Sequence, residues 1–438
     1  MSRCTARSWC ATAVVVVARA PLAGIPTNSV GFASIVQRVA VLSLHTSPLA
    51  QPGSGDSGGM NVYVRELVSA LAQAGVDCTT YTRKSRPGLA EVVQVEPGHR
   101  VVHLPAGPFE LAKQDLPNVV EEFGDGVIDH LKNGPGADVV HANYWLSGLV
   151  AHRVKHELNL PFVSTFHTLA RVKAEGGDAE PVWRDRAEAE IIDCADAICV
   201  SCTEEESQFR RLYGSPRGGI EIVAPGVEHA FFAPGDKRGA RYALGLGSGP
   251  VLLFVGRIQP LKGVDVAVRA LAELNRSDAL LLIVGGASGL DGNSEVARVL
   301  GLIDQLGVGD QVRFVEPKPH HILSTYYRAA DVVVVPSRSE SFGLVALEAA
   351  ACGIPVVASA VGGLLTLVDD GLTGYLVSDR DPAQFADRIR TILGDPALAA
   401  SMSVRAAERA RRYTWSFAAA RLRRVYADLA VRDLVACT

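Results

Sequence analysis

The chain has 438 residues, 48% of them apolar, and a formal net charge of −4. That length allows two or three domains of roughly 100–200 residues each, and the near-neutral balance excludes a global basic field of the kind that attracts nucleic acid. No apolar run approaches the ~18–20 residues of a membrane span.

Residues 1–37 differ in character from the remainder of the chain. Arg3 and Arg7 precede the apolar run 11–20, a faint imitation of a secretory leader, but the run is short and Arg19 interrupts it. The segment reads as a disordered extension or an over-long start. From Arg38 the pattern becomes regular. An apolar, β-branched run at 38–44 predicts a first parallel strand, followed by a polar, glycine-rich loop over 45–62 and an amphipathic helix over 64–74. Strands at 77–81 and 101–104, a helix at 116–131, a strand at 139–141, a helix at 146–158 and a strand at 162–166 continue the alternation. A helix at 184–193, a strand at 197–201, a helix at 204–212 and a strand at 220–223 complete it. This rhythm predicts an α/β fold with a doubly wound parallel sheet. The Pro/Gly-rich stretch 224–236 reads as a linker. Strands at 251–256, 280–284, 312–315, 332–335 and 356–358 build a second such sheet, and an arginine-rich helix is expected over 415–435. Two sheets in tandem imply a cleft between them. The expected domains are 38–228 and 229–414, with 415–438 packing back onto the first.

The eight cysteines are scattered. Cys199 and Cys202 form the only close pair, in an apolar run with no second ligand pair, so buried thiols are expected there rather than a metal or redox motif. Such usage suits a reducing cytoplasm.

Chemistry-bearing residues gather at predicted strand ends. The loop after the first strand holds His45, Gly58, Gly59 and Asn61, where paired glycines let a backbone approach a phosphate. Its spacing is not the dinucleotide fingerprint, which argues against an NAD site. After Val255 come Arg257 and Lys262, a guanidinium fork and an ammonium point charge suited to a diphosphate. After Val335 the stretch 337–348 places Glu340 ahead of a helix and Glu348 within it. Glu348 sits among Leu347, Ala349, Ala350 and Ala351, where a lone carboxylate is expensive to bury, so a polar ligand is expected to share it.

Glu340 and Glu348 with Ser341-Phe342-Gly343-Leu344 between them, then Gly353-Ile354-Pro355, Gly362-Gly363 and Gly371-Leu372-Thr373-Gly374, resemble the donor-site signature of retaining glycosyltransferases of the GT-B type, glycosyltransferase family 4. The stretches 45–62, 81–83, 142–148 and 164–173 are similar to the inositol-phosphate-acting branch of that family, in mycothiol biosynthesis. The resemblance covers about 38–435 and implies two Rossmann-like domains. It further implies transfer of N-acetylglucosamine from UDP-N-acetylglucosamine to 1D-myo-inositol 3-phosphate, and a cytoplasmic homodimer. Carried over, it assigns the acceptor to His45, Asp56, Ser57, Gly58, Gly59, Met60, Asn61, Lys113, Tyr144, Thr168 and Arg184. The donor falls to Gln51, Pro52, Gly59, Arg257, Lys262, Lys318, Glu340, Phe342, Gly343, Leu344 and Glu348. Arg257, Lys262, Glu340 and His167 are its catalytic set. No catalytic cofactor is required. A magnesium ion is allowed near Tyr327, Arg328 and Ala330, although Ile354 offers no oxygen there.

Three other readings stay open on residues alone. One is a related transferase of the sucrose-phosphate or phosphatidylinositol mannosyl type. Another is a nucleotide-sugar epimerase, which needs no acceptor pocket such as Lys113, Tyr144, Thr168 and Arg184 would form. A non-catalytic nucleotide-sugar sensor is the third, disfavoured by the intact Arg257, Lys262, Glu340 and Glu348.

Overall fold

A computed structural model describes residues 36–53, 55, 57–177, 180–287 and 292–437. The extension expected at 1–37 therefore lies almost wholly outside the described residues.

Two open sheets form the frame. The first contains β1 (Arg38–Leu42), β2 (Asp77–Arg83), β3 (Val92–Glu96), β4 (His99–Leu104), β5 (Val139–Asn143), β6 (Phe162–Thr165), β7 (Ala197–Val200) and β8 (Ile220–Ile222). Their order is β3-β4-β2-β1-β5-β6-β7-β8, parallel except where β3 runs against β4. The second contains β9 (Val251–Val255), β10 (Leu280–Val284), β11 (Val312–Val315), β12 (Val332–Val335), β13 (Val356–Ser359) and β14 (Gly374–Val377), all parallel, in the order β11-β10-β9-β12-β13-β14. The inner strands β5, β7 and β12 are buried along their whole length, which is why β7 and β12 read as continuous apolar runs rather than as alternations, while β5 buries His141 and Asn143 as well.

Each sheet reverses its winding once. In the first the switch lies between β1 and β5, in the second between β9 and β12. Loops leaving the carboxyl ends of these paired strands diverge to opposite faces and leave a crevice. The loops concerned, 43–58, 144–145, 256–263 and 336–343, carry most of the residues singled out above.

Several expectations need correction. The first helix begins at Gly59 rather than 64, because the Asn61 side chain accepts from Gly58 N–H and closes the first turn. Strand β3 was not foreseen; it is a half-exposed edge whose residues lack a clear buried face. β14 was also absent from the expected strands. The terminal helix, Trp415–Leu429, stops short of 435 because the segment after it is drawn away. Lys155 Nζ donates to Val435 O (2.9 Å), Val435 N–H donates to Asp196 (2.7 Å), and Arg217 donates to Ala436 O (2.8 Å). Cys199 and Cys202 are buried free thiols, but Cys194 and Cys437, 243 residues apart, meet as a disulfide pair that scattered spacing did not foretell. No helix among the described residues is long and apolar enough to cross a membrane.

The terminal helix packs Trp415, Leu422, Val425 and Tyr426 onto the first sheet, beside Tyr63 of the Gly59–Gln73 helix. One of its arginines does more than face solvent: Arg421 pairs with Glu221 at 2.7 Å. The Tyr426 hydroxyl meets His141 Nδ1 at 2.7 Å, while His141 Nε2 meets Thr165 Oγ1 at 2.8 Å. Tyr426→Phe strands a fully buried imidazole nitrogen, so the denaturant midpoint should fall by the equivalent of about 1–3 kcal/mol. An unchanged midpoint would show that the Tyr426–His141 hydrogen bond adds nothing to the helix's packing and its Arg421–Glu221 pair.

Candidate active site

One wall of the crevice comes from the second sheet. Lys262 ends a short 3₁₀ turn after β9, and its Nζ meets Glu340 Oε2 at 2.6 Å. Ser337 Oγ donates to the same carboxylate at 3.2 Å. Gly343 caps the following helix, Leu344–Ala351, at φ 103°, and a Cβ there would lie 2.8 Å from Leu364 Cδ2. Only glycine fits that turn without strain. Gly362 must also lack a side chain, because a Cβ would run into the Glu340 carbonyl; Gly363 N–H then donates to that oxygen at 2.9 Å. The Gly-Gly pair thus fixes the backbone that carries Glu340.

Glu348 is buried, but it is not a lone carboxylate. His320 Nε2 and the Tyr327 hydroxyl each lie 2.7 Å from its oxygens. The expectation that a ligand must supply its partner is corrected: the chain supplies two. Burial pulls the His320 pKa down, but pairing with Glu348 more than offsets this and leaves it raised. Nothing in the spacing pointed to His320, which reaches Glu348 only through the fold.

The opposite wall comes from the first sheet. Asn61 holds the loop after β1 in shape, donating to Thr46 Oγ1 (3.0 Å) and Ser47 O (2.6 Å) while accepting from Gly58. Both its amide hydrogens are engaged inside the loop, so it shapes the acceptor side rather than offering donors to a ligand. Ser57 is likewise buried and shares a hydrogen bond with Thr46. Asp56 lies outside the described residues. A Cβ on Gly58 would sit 3.2 Å from Arg257 Nε, so this glycine makes room for the guanidinium from across the crevice. Gln51 Nε2 donates to Lys318 O at 2.7 Å, a second bridge between the walls.

Tyr144 and His167 come after β5 and β6 with φ of 76° and 61°. A left-handed backbone is unfavourable for such side chains and marks a held geometry. His167 Nε2 meets Asn143 Oδ1 at 2.9 Å, and the His167 carbonyl accepts from the Ser341 hydroxyl of the second domain. Ser201 Oγ donates back to Ser341 O at 3.1 Å.

Beside these walls lies a second polar group. His45 and Tyr144 rings are 5.0 Å apart, and the Arg184 guanidinium lies 5.3 Å from the Tyr144 ring. Arg184 is buried, paired with Glu188 (2.9 Å) and Glu180 (3.0 Å), and donates to the Thr168 hydroxyl at 3.2 Å. His45 Nδ1 is buried and finds no hydrogen-bond partner among the described residues. Burial first, then Lys113, Arg257 and Arg184 in turn, hold the His45 pKa down at about 3. Its imidazole is therefore neutral at physiological pH, within the field of Lys113, Arg257 and Arg184. Arg83 positions the approach to Lys113 by donating to Pro108 O (2.8 Å) and Phe109 O (3.1 Å).

Between the walls is a cavity of ≈ 310 Å³. Pro52, Gly58, Gly59, Met60, His167, Thr168, Arg257, Lys262, Lys318, Glu340, Phe342, Gly343, Leu344 and Glu348 all line it. His45, Lys113, Tyr144 and Arg184 do not; they adjoin it through Thr168 and Arg257. Lys173, Glu205, His320 and Ser341 also line it and were not among the expected site residues.

Tyr327, Arg328 and Ala330, the position allowed for magnesium, lie at the end of the helix His320–Ala329. Tyr327 O already accepts from Ala330 N–H (3.0 Å), Arg328 donates to Ala233 O (3.0 Å), and Arg241 donates to Ala329 O (3.0 Å).

Burial holds His45, His141 and His167 each at about 3. The unfolded chain protonates them near pH ~6.5, so their contribution to stability is complete above ~6.5 and is lost as pH falls towards 3. His320, with a raised pKa, acts in the opposite sense: its contribution is full below the unfolded value and is lost as pH rises through the folded one. The denaturant midpoint should therefore decline steadily from pH ~6.5 to ~4. A flat profile over that interval would contradict the burial of the three rings.

Comparison with known proteins agrees with this architecture. Residues 241–412 match the family "Glycosyl transferases group 1", and residues 58–226 match "Glycosyl transferase 4-like domain". The D-inositol 3-phosphate glycosyltransferase 2 of Catenulispora acidiphila is 45% identical over 92% of this chain and 97% of its own. The D-inositol 3-phosphate glycosyltransferase of Nocardia farcinica is 47% identical over 87% of both chains. Among solved structures, a sucrose-phosphate synthase from Thermosynechococcus elongatus superposes with a TM-score of 0.85 at 35% identity, covering 90% of this chain and 99% of that one. Anabaena HepE in complex with UDP-glucose shares the fold at a TM-score of 0.70 and 20% identity, covering 87% and 97%. A two-sheet GT-B frame, a cleft built at both winding reversals and these identities along the chain lead to one assignment: the protein is a glycosyltransferase belonging to the D-inositol 3-phosphate glycosyltransferase family.

Proposed function

We propose that this enzyme transfers N-acetylglucosamine from UDP-N-acetylglucosamine to 1D-myo-inositol 3-phosphate with retention at the anomeric carbon. The products are 1D-myo-inositol 2-acetamido-2-deoxy-α-D-glucopyranoside 3-phosphate and UDP. The observation that supports this reading most is the polar group beside the cavity, where the His45 ring lies 5.0 Å from Tyr144, and Arg184 lies 5.3 Å from that ring and 3.2 Å from the Thr168 hydroxyl. A phosphate monoester calls for cations such as Lys113 and Arg257 and for the guanidinium hydrogens of Arg184, whose charge Glu180 and Glu188 already match; an inositol ring calls for the hydroxyls of Tyr144 and Thr168 and the open nitrogen of His45. The same reading carries the homodimer and the mycothiol pathway with it.

In this scheme Arg257 and Lys262 hold the diphosphate, while Glu340 orients Lys262 and receives sugar hydroxyls. The backbone of Phe342, Gly343 and Leu344 lies next to them. Glu348, already fixed by His320 and Tyr327, receives the ribose hydroxyls, and the Lys318 backbone meets the uracil. The bond from the anomeric carbon to the β-phosphate oxygen breaks as the bond to the inositol oxygen forms on the same face. The inositol hydroxyl proton passes to the departing phosphate oxygen, so no side chain acts as nucleophile. The rate gain comes from cations already placed where the leaving group gathers charge. His167, neutral at physiological pH, can hydrogen-bond the sugar without adding charge.

The direct test is UDP release from UDP-N-acetylglucosamine, with 1D-myo-inositol 3-phosphate, with fructose 6-phosphate and with neither. The sucrose-phosphate synthase likeness makes the second acceptor the relevant competitor. Release dependent on the inositol phosphate supports the reading; release dependent on the fructose phosphate replaces it. Release without any acceptor would point to epimerase or hydrolase chemistry. Lys113→Ala should raise KM for the inositol phosphate by about 10–100-fold, the worth of one charge-assisted contact, and leave KM for the donor within about 2-fold. Lys262→Ala should lower kcat by about 10²–10³. Steady-state kinetics on both variants, with a thermal melt to establish folding, would check this.

A further inference from the structure

The geometry points to a closed Zn²⁺ site in the first domain, formed in the reduced chain by His152, His156, Cys194 and Cys437. It is independent of the sugar chemistry. His152 and His156 stand one turn apart on the helix Trp145–Leu158, so both rings leave the same face. Cys194 ends the helix Val182–Cys194, and Cys437 arrives on the segment beyond the terminal helix. One ligand atom from each of the four lies within 4.8 Å of all the others. His156 Nε2 is 3.1 Å from His152 Nε2, 3.4 Å from Cys194 Sγ and 3.2 Å from Cys437 Sγ. Zinc bonds of about 2.0–2.1 Å to nitrogen and about 2.3 Å to sulfur give tetrahedral edges of about 3.3 Å between nitrogens and about 3.6 Å between nitrogen and sulfur. The three spacings from His156 match those edges, while the two sulfurs, bonded to each other here, must part to about 3.8 Å once reduced. A donor set of two sulfurs and two imidazoles selects zinc.

The surroundings are built to hold these donors in place. Lys155, buried, donates to Cys194 O (2.7 Å), to Val435 O (2.9 Å) and to Asp196 (2.9 Å), and Asp196 in turn accepts from Val435 N–H (2.7 Å). One buried ion pair thus fixes the backbone beside both sulfurs. Such outer contacts orient metal ligands before the ion arrives. Because Cys194 and Cys437 are joined as a disulfide, a two-electron reductant comes first: a dithiol, itself oxidised to a disulfide, or a phosphine, oxidised to its oxide, opens the bond to two thiols. Each thiol then gives its proton to solvent, and two thiolates with one Zn²⁺ leave a neutral centre. With four protein ligands it is a structural site, and it would clamp segment 430–437 to the first domain.

The test takes the full-length protein, reduced with a phosphine, stripped by a chelator and titrated with Zn²⁺ or Co²⁺. The expected result is one equivalent of zinc per chain by elemental analysis. Cobalt should give the visible bands of a tetrahedral ion with a thiolate charge-transfer band. Both should be lost in His156→Ala and Cys437→Ser and kept in Cys352→Ser. Zinc should raise Tm in the wild type and not in His156→Ala, an exposed position whose substitution spares the core. A disulfide between Cys194 and Cys437 that survives the phosphine and excludes metal would overturn the site. So would zinc bound equally by wild type and His156→Ala, or no zinc bound by the reduced wild type.

Discussion

Lys262 and Glu340 lie 78 residues apart in the chain and 2.6 Å apart in the fold. Their meeting depends on β9 and β12 being neighbours at the point where the second sheet reverses its winding. Helices on both faces of a parallel sheet force such a reversal, and the reversal forces the loops after the two strands to part. A cation on one loop and a carboxylate on the other then close the gap from its two sides. The first sheet repeats the arrangement with β1 and β5, which bring the His45 loop and Tyr144 together. The active site is thus the place where two switch points face each other.

The pairing has an electrostatic consequence. Lys262 and Glu340 are each partly exposed in their contact, so the bond adds little to stability, roughly 0–1 kcal/mol. Its importance is positional: it holds an ammonium beside the cavity before any ligand arrives, so less order has to be imposed at the moment of reaction. Glu348 is handled differently. It is buried, and a buried carboxylate must be matched, which His320 and Tyr327 do. The two glutamates of one motif are therefore physically unlike: one answers to a partly exposed cation, the other to a largely buried pair of donors.

The same physics decided which features were legible in the residues alone. β7, β9 and β12 are apolar throughout and β5 opens on two valines, so these strands announced themselves, and with them the loops at their carboxyl ends. Glycines at 343, 362 and 363 were visible as a motif because their positions tolerate no side chain. Contacts closed only in three dimensions left no local trace. His320 gave no signal beyond opening a helix, and Arg184 gave no hint that Glu180 and Glu188 would neutralise it. Asn61 looked like a ligand contact because an amide beside glycines often is one; the fold instead uses it as the brace of its own loop. The four-residue cluster at His152 was equally silent, since its members are spread from 152 to 437. The edge strand β3 failed for the opposite reason, having no buried face to impose a period.

The chain passes between the two domains twice, once at 224–236 and once just before Trp415. These passes run side by side: Val227 N–H donates to Tyr413 O at 3.2 Å, and Gly226 lies so close to Trp415 that a Cβ would strike its backbone nitrogen. Two adjacent backbone crossings behave like the two pins of a door. Swinging the domains about the line through both leaves each strand unstretched, whereas shearing or twisting them would pull one crossing away from the other. The Ser341–His167 and Gln51–Lys318 hydrogen bonds join the same two domains through side chains, tying across the crevice what the crossings tie through the backbone.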